Sequence, residues 1–242
     1  MDVLAAARAT APAVSTVCSH FMMDGDTYKH GAQLGFQGLD FYVTGRGGVL
    51  GDVDAGVVTA AFTFFAPDHV RTQWELGRSV MAPRAAAVEF AACAATWAEA
   101  HVPDDLDAAR LGELVGKVAA GARPACAPIF AAWQTLEVPS SPKAAAVHRM
   151  NGLRELRQGL HAACVVASGL SPLQAVSMRQ PHMAPILGWP ELADTSDELQ
   201  AVWQSAEDAT DRAIAHAYEG LSETERGELA ELAGALHEAT AG

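Results

Sequence analysis

His20 and His161 are the residues of this chain best suited to acid–base work or to ligation. An imidazole titrates near neutral pH and offers a lone pair to a metal or a haem iron. The chain holds nine histidines, yet none forms an HxxxH or HExxH pair on one helical turn, so a metal would need ligands from distant segments. Arg154 stands seven residues before His161 and shares its helical face, where it would anchor a carboxylate or similar anion. Glu155, beside Arg154 and Arg157, either forms surface ion pairs or joins the ligand-binding set. Arg46 lies in the run Gly45-Arg46-Gly47-Gly48. Glycines there permit close approach and positive φ, so this turn is expected to cradle an anion, or else to be a tight turn with a solvated arginine. It lacks the Lys-Ser/Thr of a phosphate-binding loop. Tyr42, one helical turn earlier, is placed with the ligand-binding residues, and Phe62, Phe64 and Phe65 are near enough to wall an apolar pocket. No Ser-His-Asp or Cys-His arrangement can be recognised from residue order.

The elements that must position these residues read as helices. Residues 3–23 form one helix, interrupted or kinked near Pro12. Phe36–Thr44 is a short helix ending at the glycine run. Asp52 caps a nearly all-apolar helix over Val53–Phe65, and Pro67 opens a third that runs to about Trp74. Helix, turn, buried helix, short helix is the skeleton of a helix-turn-helix or winged-helix unit. Helices follow over 84–101, 106–120 and 124–136. Val138-Pro139-Ser140-Ser141-Pro142 is the best linker, dividing the chain into halves 1–137 and 138–242 packed as one unit. Ser141 and Pro142 launch a helix to about Ala167, and Ser171-Pro172 launches the next. Pro181, Pro185 and Pro190 mark an irregular passage. Helices over 196–219 and 222–238 close the chain, the last opened by the capping box Ser222-Glu223-Thr224-Glu225.

Aligning Gly35 with Gly169 suggests an internal duplication: Trp74 answers Trp203, and the Arg84 segment answers that of Arg212. Counting back from the two glycines sets His20 opposite Arg154. The helices leading into them would then bring His20, Arg154 and His161 to a shared interior between two pseudo-repeated halves, each a degenerate winged-helix-like unit with a helical hairpin. The fold class expected is all-α.

Bulk properties narrow the range of functions. With 242 residues the chain can bury a large core, and its alanine-rich, half-hydrophobic composition favours helices. A formal charge of −13 disfavours nonspecific attraction to nucleic acid or anionic lipid. Cys18, Cys93, Cys126 and Cys164 are widely spaced, as small core residues would be, and form no zinc or disulfide pattern. Neither a signal peptide nor a membrane span is expected, and the location expected is cytoplasmic.

The run GFQGLDFYVTGRGGVLGDVDAGVVTAAFTFFAPDHV resembles the signature of the actinobacterial SalK-type helix-turn-helix family. The resemblance rests on His20, Gly35, Gly38, Tyr42, Gly45, Arg46, Leu50, Gly51, Val57–Ala60, Phe62 and Pro67. In the second half it rests on Leu153, Arg154, Glu155, Arg157, Gly159, His161, Gly169 and Leu170. It implies little about function, since similar members are mostly uncharacterised and some are encoded near biosynthetic genes. Where many members carry a histidine before the proline this chain has Ala66, so any chemical role of that histidine would pass to His69 or be lost.

Three functions follow as expectations. The first is a small-molecule site between the halves, binding or catalytic, with His20 and His161 as acid/base groups or as haem or metal ligands, and Arg46, Arg154, Tyr42 and Glu155 as ligand contacts. The second is a dimeric DNA-binding regulator, disfavoured by its candidate recognition helices: Pro67–Gly77 offers Arg71, Thr72 and Gln73 against Asp68 and Glu75, and Asp194–Trp203 carries three acids and no base. The third is a partner-binding protein without catalysis. The residues leave open whether the chain is an enzyme.

Overall fold

The computed structural model describes residues 1–240. Among them the protein is all helix, with no strand and hence no wing. Twelve α-helices follow one another: α1 (Val3–Met23), α2 (Gly25–Gln33), α3 (Leu39–Gly47), α4 (Ala55–Ala61), α5 (Pro67–Val80), α6 (Pro83–His101), α7 (Ala108–Gly121), α8 (Pro128–Trp133), α9 (Pro142–Ala167), α10 (Pro172–Arg179), α11 (Asp197–Ala215) and α12 (Glu223–Thr240).

Helix α9 is the hub. Pro142 at its first turn fits the expected start, but the Ser141 hydroxyl bonds Glu99 rather than capping the helix. Its N-terminal half is buried on every face, as Ala146, Val147, Met150, Asn151, Leu153 and Leu156 attest, so it reads as a core helix and not an amphipathic one. It packs on α1, α6, α7, α8 and α11. One hydrophobic core therefore draws on residues before and after the 138–142 segment. A smaller cluster, Val165, Leu170, Ala175, Trp203 and Ala206, joins α9, α10 and α11, with Phe64 packed against it.

Several local expectations change. Helix α1 runs unbroken through Pro12. Helix α4 starts two residues later than expected with Asp54 at its N-cap, while Asp52 pairs with Arg78 at 2.8 Å. The 124–136 helix shrinks to α8. The capping boxes at Ser171/Gln174 and Ser222/Glu225 form in both directions. Gly35 and Gly169 both have positive φ, of 103° and 84°. Past these two glycines the halves differ, because nothing between α10 and α11 corresponds to α4.

The glycine run is the main departure. Gly45, Arg46 and Gly47 are the last turn of α3, none with positive φ, and no anion-cradling loop exists there. These glycines serve helix contact instead. A Cβ at Gly45 would lie 2.7 Å from Phe90, and one at Gly48 only 1.9 Å from the Pro83 carbonyl oxygen. Small residues let α3 seat against α6 at backbone distance.

Candidate functional site

Arg46 points inward from α3 and meets Glu155 of α9 in a bidentate pair. Its Nε donates to Oε1 at 2.8 Å and its Nη2 to Oε2 at 2.7 Å. Both side chains are almost wholly buried, at 3% and 1% exposure, so Glu155 is no surface ion-pair partner. Burial alone would push the Glu155 carboxyl up, but Arg46 and Arg154 outweigh it and hold the group below the usual carboxylate range. The Arg46 guanidinium lies 4.4 Å from the Phe62 ring centroid, a cation–π contact that helps a desolvated charge. Arg154, one residue before Glu155, donates from Nη1 to the same Oε1 at 2.7 Å. Two guanidinium groups thus share one carboxylate.

The two arginines line a cavity of about 270 Å³, walled by α1, α3, α9, α10, α11 and the segment 182–187. Its polar side carries Ser19, Arg154, Gln158, His161 and Arg179, and its apolar side includes Met22, Leu39, Phe64, Phe65, Ile186 and Trp203. Tyr42 lines it too, stacked on Phe65 with ring centroids 5.8 Å apart. The volume lies at the low end for small-molecule sites, and the mix of apolar wall and few polar groups is usual for them.

His161 is 4% exposed, sandwiched between Phe64 and Trp203 with centroids at 5.4 and 5.0 Å. The hydrogen-bond network fixes its tautomer. Thr210 donates its hydroxyl proton to the Ala206 carbonyl at 2.8 Å, so its oxygen can only accept from His161 Nδ1–H, 3.1 Å away. The Nε2 lone pair is left without a protein partner, 3.8 Å from Glu207 and beyond hydrogen-bond reach. Burial, with Arg179 and Arg157 nearby, pulls this imidazole down to about 3, so it is neutral at physiological pH. His161 is therefore a buried acceptor or weak base.

The expected residues are gathered only in part. Tyr42, Arg46, Arg154 and His161 line the cavity; Glu155 acts from behind it, through the two arginines. His20 does not reach it. It projects from α1 into a separate groove beside Trp97 and His101, its ring 6.1 Å from Trp97, whereas Ser19, Met22 and Met23 of the same helix line the cavity. Counting back from the glycines misplaces it because α1 and α9 reach them differently: α2 intervenes before Gly35, whereas α9 runs directly to Gly169. His20 and His161 therefore do not converge on one metal or haem iron, and no three His, Cys, Asp or Glu side chains among the described residues are grouped to hold a metal. His69 lies outside the cavity, under Gly188, whose Cβ would come within 2.4 Å of it.

Arg179, Gln158 and Trp203 also belong to the site, and no catalytic or binding motif marks any of them. Periodicity could have found Gln158, which stands four residues after Arg154 on the same face of α9. The segment 181–193 has only its prolines to mark it, and they signal irregularity. It supplies a wall because the Leu187 carbonyl accepts from Ala66 N at 2.8 Å and the Trp189 indole donates to the Phe64 carbonyl at 2.9 Å.

These contacts also bear on the segment expected to hold the helix-turn-helix, which folds as α4, the 62–66 turn and α5. They tie the 181–193 segment to the turn before α5, while Pro67, Asp68, Arg71 and Thr72 at the start of α5, the end a recognition helix presents to bases, stay exposed. Arg71 and Arg78 are paired, to Asp68 within α5 at 2.9 Å and to Asp52 ahead of α4 at 2.8 Å. No single helix among the described residues is long and apolar enough to cross a membrane.

The profile of a family described as a helix-turn-helix family matches residues 7–191. No curated protein and no solved structure matches the chain.

Proposed function

The chain belongs to that helix-turn-helix family, and from this premise we propose that it is a cytoplasmic small-molecule-binding protein whose ligand occupies the cavity between α3 and the α9–α11 helices. The observation that carries the reading is His161: a residue of the cavity wall whose buried Nε2 lone pair has no protein partner, Thr210 holding the ring in the tautomer that leaves this nitrogen an acceptor. An unpaired buried acceptor costs about 1–3 kcal/mol, a penalty that a bound donor would remove. Tyr42, Arg46, Arg154 and His161 form the polar lining, with the neutral His161 as a hydrogen-bond acceptor. Native mass spectrometry of gently purified protein tests this. A retained mass that denaturation releases, and that Ile186→Trp at the half-exposed rim excludes, is expected. Protein that is ligand-free and binds nothing from a compound library by thermal shift counts against it.

A second reading, a dimeric DNA-binding regulator, is favoured by the family and by the exposed Val57, Leu76 and Val80 on α4 and α5. Binding through α5 would have to overcome its internal acid–base pairing. Retention on duplex DNA that falls steeply with salt, and is lost in Arg71→Ala, would establish it.

A further inference from the structure

Charges around the cavity do not cancel. Arg46 and Arg154 share the single carboxylate of Glu155. Arg157 is bound by Asp211 at 2.8 Å and Glu207 at 3.3 Å. Arg179 reaches only Glu207, at 4.0 Å, and keeps 43% of its side-chain surface in water. Arg8 adds one cation and Asp208 one anion, linked at 3.1 Å, and leaves the balance unchanged. Five arginines thus face four carboxylates, an excess of one positive charge in a protein whose formal charge is −13. The excess is felt by Arg179, whose affinity for its proton is lowered by partial burial and by Arg157 and Arg154. Arg154 and Arg179 both line the cavity, along with Gln158 and Gln180. Apart from Ser19, Arg46, His161 and His182 the rest of the wall is apolar or aromatic, and the His161 ring, its Nε2 unpartnered, packs against the rings of Phe64 and Trp203.

Resting on the small-molecule reading above, we propose that the ligand is an amphipathic monocarboxylic acid. Its carboxylate sits between Arg154 and Arg179, its flat apolar body lies against Phe64, Phe65 and Trp203, and an N–H or O–H on that body donates to His161 Nε2. One carboxylate matches the charge excess; a dianion would overshoot it, and a neutral molecule would leave it standing. Planar guanidinium groups suit a carboxylate through paired donors, and a neutral imidazole with a free Nε2 selects a donor and rejects a bare hydrocarbon edge.

Isothermal titration of the full chain with indole-3-acetate, 1-naphthylacetate, indole-3-acetamide and inorganic phosphate separates the parts. Expected is one-to-one binding of indole-3-acetate, roughly ten- to hundredfold tighter than the amide, as loss of a charge-assisted contact predicts. Arg179→Gln, at a partly exposed position that the fold does not need, should erase that preference, and Ile186→Trp should abolish binding. Indole-3-acetate should also bind more tightly than 1-naphthylacetate, with the difference lost in His161→Phe. If the amide binds as well as the acid and Ile186→Trp still blocks both, the carboxylate assignment falls while the cavity reading stands. Equal binding of the indole and naphthyl acids overturns the His161 contact. Phosphate binding as tightly as the acids reduces the site to a plain anion site. If no probe binds wild-type protein, or if binding survives Ile186→Trp, the proposal fails outright.

Discussion

The pair Arg46–Glu155 places a full salt bridge where little water reaches, and the two charges depend on each other. Removing one partner leaves the other desolvated and unpaired, which typically costs 3–5 kcal/mol, whereas replacing both with apolar residues costs far less. Arg46→Met and Glu155→Leu are each expected to lower unfolding stability by about 3–5 kcal/mol, and the double variant to recover most of that loss, as read by urea titration. Recovery can be incomplete in one direction only, because Arg154 loses its partner too. His161 sets a pH dependence of known sign. Its imidazole falls from an ordinary 6.5 to about 3 in the folded protein, so between these values the unfolded chain holds a proton that the native state refuses. Its contribution to stability is therefore unchanged above about pH 6.5 and is lost as pH falls. Roughly 2–3 kcal/mol should go between pH 6.5 and 4.5 from this residue. His161→Phe should flatten that acid limb; a limb of unchanged slope would show that His161 takes up its proton readily in the fold. His148, buried and pulled down to about 4, works in the same direction and remains in the variant.

At the scale of elements, small residues set how closely helices approach. Gly48 abuts the first turn of α6, where an added Cβ would meet the Pro83 carbonyl oxygen at 1.9 Å. Rigid backbone cannot yield as a side-chain tip can, so Gly48→Ala is expected to destabilise by about 3 kcal/mol or more. Gly227 of α12 has no atom within 4 Å of its would-be Cβ. There Gly→Ala should raise stability by about 0.5–1 kcal/mol, since the helix gains propensity at no steric cost. Thermal melts of the two variants should move in opposite directions; a neutral Gly48→Ala would mean that α3 and α6 can separate. The boundaries of long elements were legible because they are punctuated locally. Pro142 and Ser171-Pro172 open α9 and α10 where the residues place them, and Ser222 with Glu225 fixes the start of α12. The short elements were less so. Gly45-Arg46-Gly47-Gly48 has the composition of a turn, but packing against Phe90, Val58 and Pro83 rewards a helix with no side chains in the way. Tertiary contact overrode propensity there.

For the molecule as a whole, α9 decides the architecture. It contributes to the same core as α1, α6, α7 and α8 and is buried on all sides over its first half. A fragment ending at residue 137 would expose the faces of those helices that α9 covers, and we expect it to lack a cooperative unfolding transition. A fragment that melts sharply would show that the first half folds by itself. The net charge and the pairing of Arg71 and Arg78 act at this scale too, since a protein this acidic should pass through a duplex-DNA column at about 0.15 M salt; retention there would move the function to the helix-turn-helix surface.

The residues alone determined that this chain is all-α, where its long helices begin, and that Arg154 and His161 share one face, because propensity, capping and a seven-residue spacing are local and periodic properties. They also supplied the family signature, which the match over residues 7–191 bears out at the level of a helix-turn-helix family. They could not tell that Arg46 and Glu155, 109 positions apart, form a buried pair, that His20 faces away from His161, or that Arg179 and the 182–187 segment complete the cavity. Those facts depend on how helices cross and how closely they approach. That geometry is set by the summed packing of the core, and no window of sequence contains it.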